Sequence, residues 1–153
     1  MVTVHIKPHH FMDIIKLHGA GIEEFVPDIN MGHDFYKVAN KIMRDPSLKL
    51  ILTVEGDDIC LPCKKYKNCC QDQISHIPGF KSKDDYNKLL DRRIIELYHL
   101  QEEYYEARSL CALYYEPSEL IYEIWKEETA EAVDKRYALF VKGAEAYLNK
   151  FHF

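Results

Sequence analysis

The chain has 153 residues, 47% of them apolar and 29% charged, with a net charge of −5. That is the length and balance of one soluble globular domain, able to bury a core without disulfide staples. The acidic balance speaks against a nucleic-acid or membrane-surface partner, and no apolar run approaches the roughly 18 residues that a bilayer span needs. The start, Met1-Val-Thr-Val-His5, has neither the charged opening nor the apolar stretch of a signal peptide, so a cytoplasmic location is expected.

Val2, Val4 and Ile6 alternate with Thr3, His5 and Lys7, which is the period of a short, half-buried strand. Pro8 then suits the first turn of a helix, because its missing N–H would be unpaired there. Phe11, Ile14, Ile15 and His18 extend that helix to Gly19-Ala-Gly21, which stops it. Ile22 to Val26 predicts a short helical turn before Pro27. Asp34 to Met43 predicts a second helix, with Phe35, Val38, Ala39 and Ile42 on one face and Asp45-Pro46 as its break. Leu48, Leu50, Leu52 and Val54 alternate with Lys49, Ile51 and Thr53 as a second strand, ended by the turn-forming Glu55-Gly-Asp-Asp58.

The remainder reads as helical. A stripe of Leu89, Leu90, Ile94, Leu97, Tyr98 and Gln101 predicts one helix from Tyr86 to about Arg108. Pro117-Ser118 opens a last segment in which Ile121, Ile124, Trp125, Val133, Tyr137, Phe140, Tyr147 and Leu148 recur at helical spacing. It is either one long helix exposing a seam for a homodimer, or two helices broken near Glu127 to Ala130. The expected fold is α+β: a single, mostly helical domain over residues 1–153, with a small two-stranded sheet and a cysteine-rich metal loop. Residues 1–80 hold strand, helix, strand and loop, and residues 81–153 form the helical half. The two strands, joined through helices, are placed to pair in parallel.

Four of the five cysteines fall in that loop, at Cys60, Cys63, Cys69 and Cys70. In a reducing compartment such crowding points to metal chemistry before disulfides. Cys60-Leu-Pro-Cys63 aims two sulfurs around one centre, and thiolate is a soft donor that favours zinc, copper(I) or an iron–sulfur cluster. Lys64, Lys65 and Lys67 would offset the negative charge of several thiolates. Adjacent Cys69 and Cys70 diverge on an extended backbone, so one of the two is a spare thiol. A redox-active dithiol and inert thiols are the competing readings, and Cys111 reads as a small buried hydrophobe. Three thiolates leave a fourth position, for which Cys70, His76 or a residue from elsewhere is a candidate.

Pro8-His9-His10-Phe-Met-Asp13 supplies such residues. On a helix Asp13 lies near either imidazole. The pair reads as satisfied histidines at a helix start, with Asp13 an exposed carboxylate or a partner fixing a tautomer, or else as an inner or outer metal shell.

Lys7-Pro-His-His10, then Gly19-Ala-Gly-Ile-Glu-Glu-Phe-Val26, then Asp57-Asp-Ile-Cys60 with Cys63 and Cys69, resemble the bacterial and archaeal family called domain of unknown function 1284. The likeness runs over about residues 4 to 95, and the ordered combination of three motifs is more specific than any one of them. It implies iron–sulfur binding and carries no substrate. Two positions depart from the family pattern: Asp13 stands where a cysteine is expected after the His-His pair, and only Cys111 and Trp125 stand where a C-terminal cysteine cluster is expected.

Three functional readings result. The first is an iron–sulfur or metal-binding protein with Cys60, Cys63 and Cys69 as ligands, Asp13 at or near an open fourth position, and His9 or His10 as the acid–base group. Its partner would be a small-molecule ligand or an electron-transfer protein. The second is a structural zinc module whose helical half, with Tyr104, Tyr105, Tyr114, Tyr115, Tyr122 and Trp125, binds another protein; plain core packing is the alternative role of these aromatics. The third is a metal-free small-molecule enzyme with His9, His10, Asp13 and Asp58 lining its pocket.

Overall fold

The computed structural model describes residues 3–67 and 69–150. Strand β1 (Thr3–Ile6) leads into helix α1 (Pro8–Gly19), and helix α2 (Phe35–Arg44) precedes strand β2 (Lys49–Leu52). A two-residue hairpin, β3 (Tyr66–Lys67) and β4 (Cys69–Cys70), lies in the cysteine loop. Helix α3 (Lys83–Leu97), strand β5 (Tyr105–Glu106), helix α4 (Ala107–Tyr115), a 3-10 turn (Ser118–Leu120), helix α5 (Ile121–Ile124) and helix α6 (Ala130–Lys150) follow. The domain is α+β and mostly helical, as expected.

β1 and β2 pair in parallel, with Val4 opposite Leu50 and Ile6 opposite Leu52. The alternation has its physical outcome: Val4, Ile6 and Leu50 are buried, whereas Thr3 and His5 are exposed. The main sheet has three strands rather than two, because β5 adds antiparallel to β2 through Tyr105 and Leu50. The predicted helix from Tyr86 to Arg108 therefore needs correction. It begins earlier, at Lys83, where the Ser82 hydroxyl accepts from the Asp85 amide. It stops at Leu97 in a left-handed cap: His99 has φ 54°, its amide donates to Glu96 O and the Leu100 amide to Ile95 O (2.9 Å). That pair of bonds satisfies the last carbonyls and turns the chain toward the sheet.

The short helix expected at Ile22 to Val26 is absent. The Asn40 side chain grips this stretch instead, accepting from Phe25 N and donating to Phe25 O, both at 2.9 Å. These two bonds take the place of helical ones. Of the two alternatives for the C-terminal segment, the break is the one adopted. Glu128 N closes a turn onto Trp125 O, and the Thr129 hydroxyl caps α6 by accepting from Ala132 N. Arg93 of α3 clamps the break with a bidentate pair to Glu127 (2.8 and 2.9 Å). Val133, Phe140, Ala144 and Tyr147 of α6 are buried in the chain's own core. Tyr105, Tyr114 and Trp125 are core residues too, while Tyr104 and Tyr122 are exposed.

α1 and α6 form the most extensive helix pair. They meet backbone to backbone at Gly19 and Gly143: a Cβ on Gly143 would overlap the Ile15 carbonyl oxygen and stand 2.8 Å from Gly19 N. Alanine should favour a helix interior by about 1 kcal/mol over glycine. Here the overlap is with rigid backbone, so Gly143→Ala should instead destabilise by about 1–3 kcal/mol, read from the urea midpoint. A midpoint that rises would show that the two helices separate without cost.

Candidate metal centre

The first turn of α1 points both histidines inward, and each imidazole is held by a buried carboxylate. His9 Nδ1 donates to Asp91 Oδ1 at 2.8 Å, and His10 Nδ1 donates to Asp57 Oδ2 at 2.7 Å. The ring centroids are 4.4 Å apart. A carboxylate on Nδ1 fixes the tautomer and leaves Nε2 with its lone pair free, the arrangement found behind metal-bound histidines.

Asp57 does more than orient His10. Its Oδ2 also accepts from Lys7 N (2.7 Å), and its Oδ1 accepts from Ile59 N (3.1 Å) and Cys60 N (2.9 Å). The carboxylate thus starts the turn that carries Cys60 and Cys63, closed by Cys63 N on Cys60 O at 2.8 Å. Burial alone would lift the Asp57 carboxyl. The His10 imidazole and these backbone donors outweigh that and hold it far below the usual carboxylate range.

The hairpin settles how the adjacent cysteines point. Cys70 lines a cavity of about 470 Å³ together with Cys60, Cys63, His9 and His10. Its amide donates to Asp84 Oδ1 at 3.3 Å. Cys69 is not on that wall; its sulfur accepts from Gln71 Nε2 at 3.2 Å. On a strand, neighbouring side chains face opposite ways, so one of the two must turn away. His76 also lines the cavity, edge-on to Tyr86. All five cysteines are free thiols. Cys111 is fully buried on α4, where burial pushes its thiol up to about 12.

Donor atoms of His10, Asp57 and Cys60 lie within 4.8 Å of one another. Asp57 already has at least two donors on each oxygen, which suits it to support rather than ligation. The Cys60 thiol is pushed up to about 12, first by burial and then by the Asp57 carboxylate that accepts its hydrogen bond. Ligation there must release a proton, so metal affinity should rise with pH.

Asp13 takes a place the sequence did not suggest. It lies on the same cavity wall but accepts from Arg136 Nη1 at 2.7 Å, with Lys16 at 3.9 Å. Burial alone would lift its carboxyl, and the Arg136 guanidinium outweighs that and lowers it. Asp58, expected on a pocket wall, is not on this one; its carboxylate accepts from His5 N on the strand. Of the three loop lysines only Lys65 reaches the cavity.

Sequence reasoning assigned no site role to Lys7, Asp84, Asn87, Asp91 or Arg136, and it placed Asp57 only in a turn and a motif. Lys7 is 1% exposed. Burial would lower its ammonium, but Cys60, Asp57 and Asp91 outweigh this and raise it. The stripe Asp84, Asn87, Asp91 on α3 was visible as polar residues among apolar ones, a signal that could have marked a buried polar face. The chain matches no protein-family model, no curated protein and no solved structure.

Asp57→Asn should cost about 3–5 kcal/mol at neutral pH, because amide nitrogen cannot accept and buried donors lose their anion. The sign with pH follows from a lowered carboxyl: the contribution is full above the usual aspartate range and is lost as pH falls through it toward the folded-state value. Urea unfolding of both proteins from neutral to acid pH should therefore show their stabilities converging. A constant difference would remove Asp57 as the anchor.

Proposed function

We propose that this chain is a metal-binding protein whose centre, an iron–sulfur cluster in the first reading, is held by Cys60, Cys63 and Cys70, with the His10 imidazole as the fourth donor. The observation that carries the reading is that three thiols and a carboxylate-oriented imidazole line one cavity, with His10 and Cys60 donor atoms within 4.8 Å of each other. Soft sulfur donors select thiophilic metals, and the resemblance of three motifs to a family described as iron–sulfur-binding favours a cluster. Such a centre supplies redox or Lewis-acid chemistry.

Around it the chain's own residues have separate duties. Asp57 holds His10 and the Cys60 turn, and Asp84 holds the Cys70 backbone. His9 is tethered by Asp91 and turns its other ring nitrogen away from that carboxylate, the position of an acid–base group beside the centre. Burial would lower the His9 imidazole, but Asp91 and then Asp13 raise it, so the protonated form persists to higher pH than for a free histidine. A small-molecule ligand or an electron-transfer partner fits this arrangement.

A second reading, a single zinc ion, is favoured by the compact His10, Asp57 and Cys60 group, since carboxylate, histidine and zinc in series is a common order. Metal and acid-labile sulfide analysis of protein purified without oxygen separates the two. Iron with matching sulfide supports the cluster, stoichiometric zinc without sulfide supports the ion, and a metal-free protein that takes up neither on reconstitution sinks both. Cys60→Ser, Cys63→Ser and Cys70→Ser should each lose most of the bound metal, whereas Cys69→Ser should retain it. Equal losses at Cys69 and Cys70 would refute the ligand set.

A further inference from the structure

The same cavity is also lined by Trp125 and Arg136, and at about 470 Å³ it is in the size range of small-molecule sites. Its polar wall is lopsided. Every carboxylate on it already has a donor: Asp13 from Arg136 (2.7 Å), Glu128 from the Tyr86 hydroxyl (2.9 Å), Asp28 from the Asn30 and Met31 amides, and Asp72 from the Gln73 amide. Apart from the imidazole Nε2 lone pairs turned to the metal position, its spare groups include donors. Asn87 is only 8% exposed and lines the cavity, yet among the described residues its amide meets no hydrogen-bond partner. Arg136 gives one nitrogen, Nη1, to Asp13, and its other N–H groups meet no acceptor among the described residues. Arg93 shows a satisfied guanidinium in this fold, with both terminal nitrogens on Glu127.

An amide without a protein partner on a cavity wall is open to whatever occupies the cavity, water or a ligand. Position sharpens this. Asp84, Asn87 and Asp91 follow one another along one stripe of α3, where the first holds the Cys70 backbone and the last holds His9. Asn87 stands between these two anchors, beside the thiol and imidazole donors. Arg136, stacked 4.1 Å over the Trp125 ring, lines the same cavity.

We propose that the cavity is a receptor for a small acceptor-rich anion, a carboxylate or phosphate compound, with the Asn87 amide and the Arg136 guanidinium as its recognition groups. The donor inventory selects the class: a ligand that brings oxygens finds partners here, and one that brings only N–H groups meets carboxylates already engaged. A planar guanidinium is suited to carboxylate and phosphate oxygens alike. The receptor deepens the metal reading by naming what lies beside the centre, and it shares the cavity without needing the metal for its own contacts.

Trp125 is the chain's one tryptophan and lies under Arg136, so its fluorescence reports the site directly. The full chain, metal-free and metal-loaded, is titrated with malonate, inorganic phosphate and ethylenediamine. A saturable change with malonate or phosphate and none with ethylenediamine is expected, and the tighter of the two anions identifies an organic acid or a phosphate as the natural chemistry. Asn87→Ala should weaken that binding roughly tenfold, and Asn87→Asp should abolish it by setting a carboxylate against the anion. Both should keep wild-type metal content and circular dichroism. Should the Asn87 variants fail to fold, Arg136→Lys, which keeps the charge and loses the fork, decides by the same titration and should also weaken binding. No saturable response to either anion in both forms of the protein, preference for ethylenediamine, or wild-type titration by Asn87→Asp or by a folded Arg136→Lys would overturn the proposal. Metal analysis is a separate readout, so a chain that binds anion but no metal defeats the metal reading alone.

Discussion

A carboxylate with no access to water is tolerable only if its charge is answered by donors, and Asp57 is answered by the Lys7, Ile59 and Cys60 amides and the His10 imidazole. Those donors come from the end of β1, the start of α1 and the cysteine loop. One fully buried side chain thereby joins the N-terminal turn to a loop fifty residues away. Removing the anion would leave several N–H groups unpaired at once, which is why so much of the local geometry depends on it.

Two further buried aspartates anchor the site from α3, Asp91 through its Oδ1 alone. Asp91 takes the backbone and ring of His9, each at 2.8 Å, and Asp84 takes the Cys70 amide and the Lys88 ammonium. The thiol and imidazole positions are therefore held from behind by groups that do not themselves face the cavity. Such support lets a site keep its shape before a ligand arrives, since little side-chain freedom remains to be lost. Lys7 sets a positive charge into the middle of these three carboxylates.

The far wall depends on a different constraint. Because Gly19 and Gly143 let α1 and α6 touch through their backbones, Arg136 comes close enough to α1 to pair with Asp13. A cysteine at position 13 would face that guanidinium without a full charge to offer it. The aspartate thus belongs to a wall of ion pairs, and the arginine keeps it occupied.

The amino-acid sequence alone determined the local features that follow from short-range sterics and periodicity. These are the buried alternation of Val4 and Ile6, the proline start of α1, the turn at Asp57 and Asp58, and the crowding of soft donors between Cys60 and Cys70. It also established that Cys69 and Cys70 diverge, because that is a property of any extended backbone. The tertiary structure decided which of them faces the cavity, since the hairpin and the bond from its Cys70 amide to Asp84 of α3 set that direction. It decided as well that His99 would end α3 and send Tyr105 to the sheet, because a two-residue strand has no periodicity to read. The bonds from His10 to Asp57, His9 to Asp91 and Arg136 to Asp13 span 47, 82 and 123 positions. No spacing rule reaches across such separations; only the packing of the helices brings those charges together.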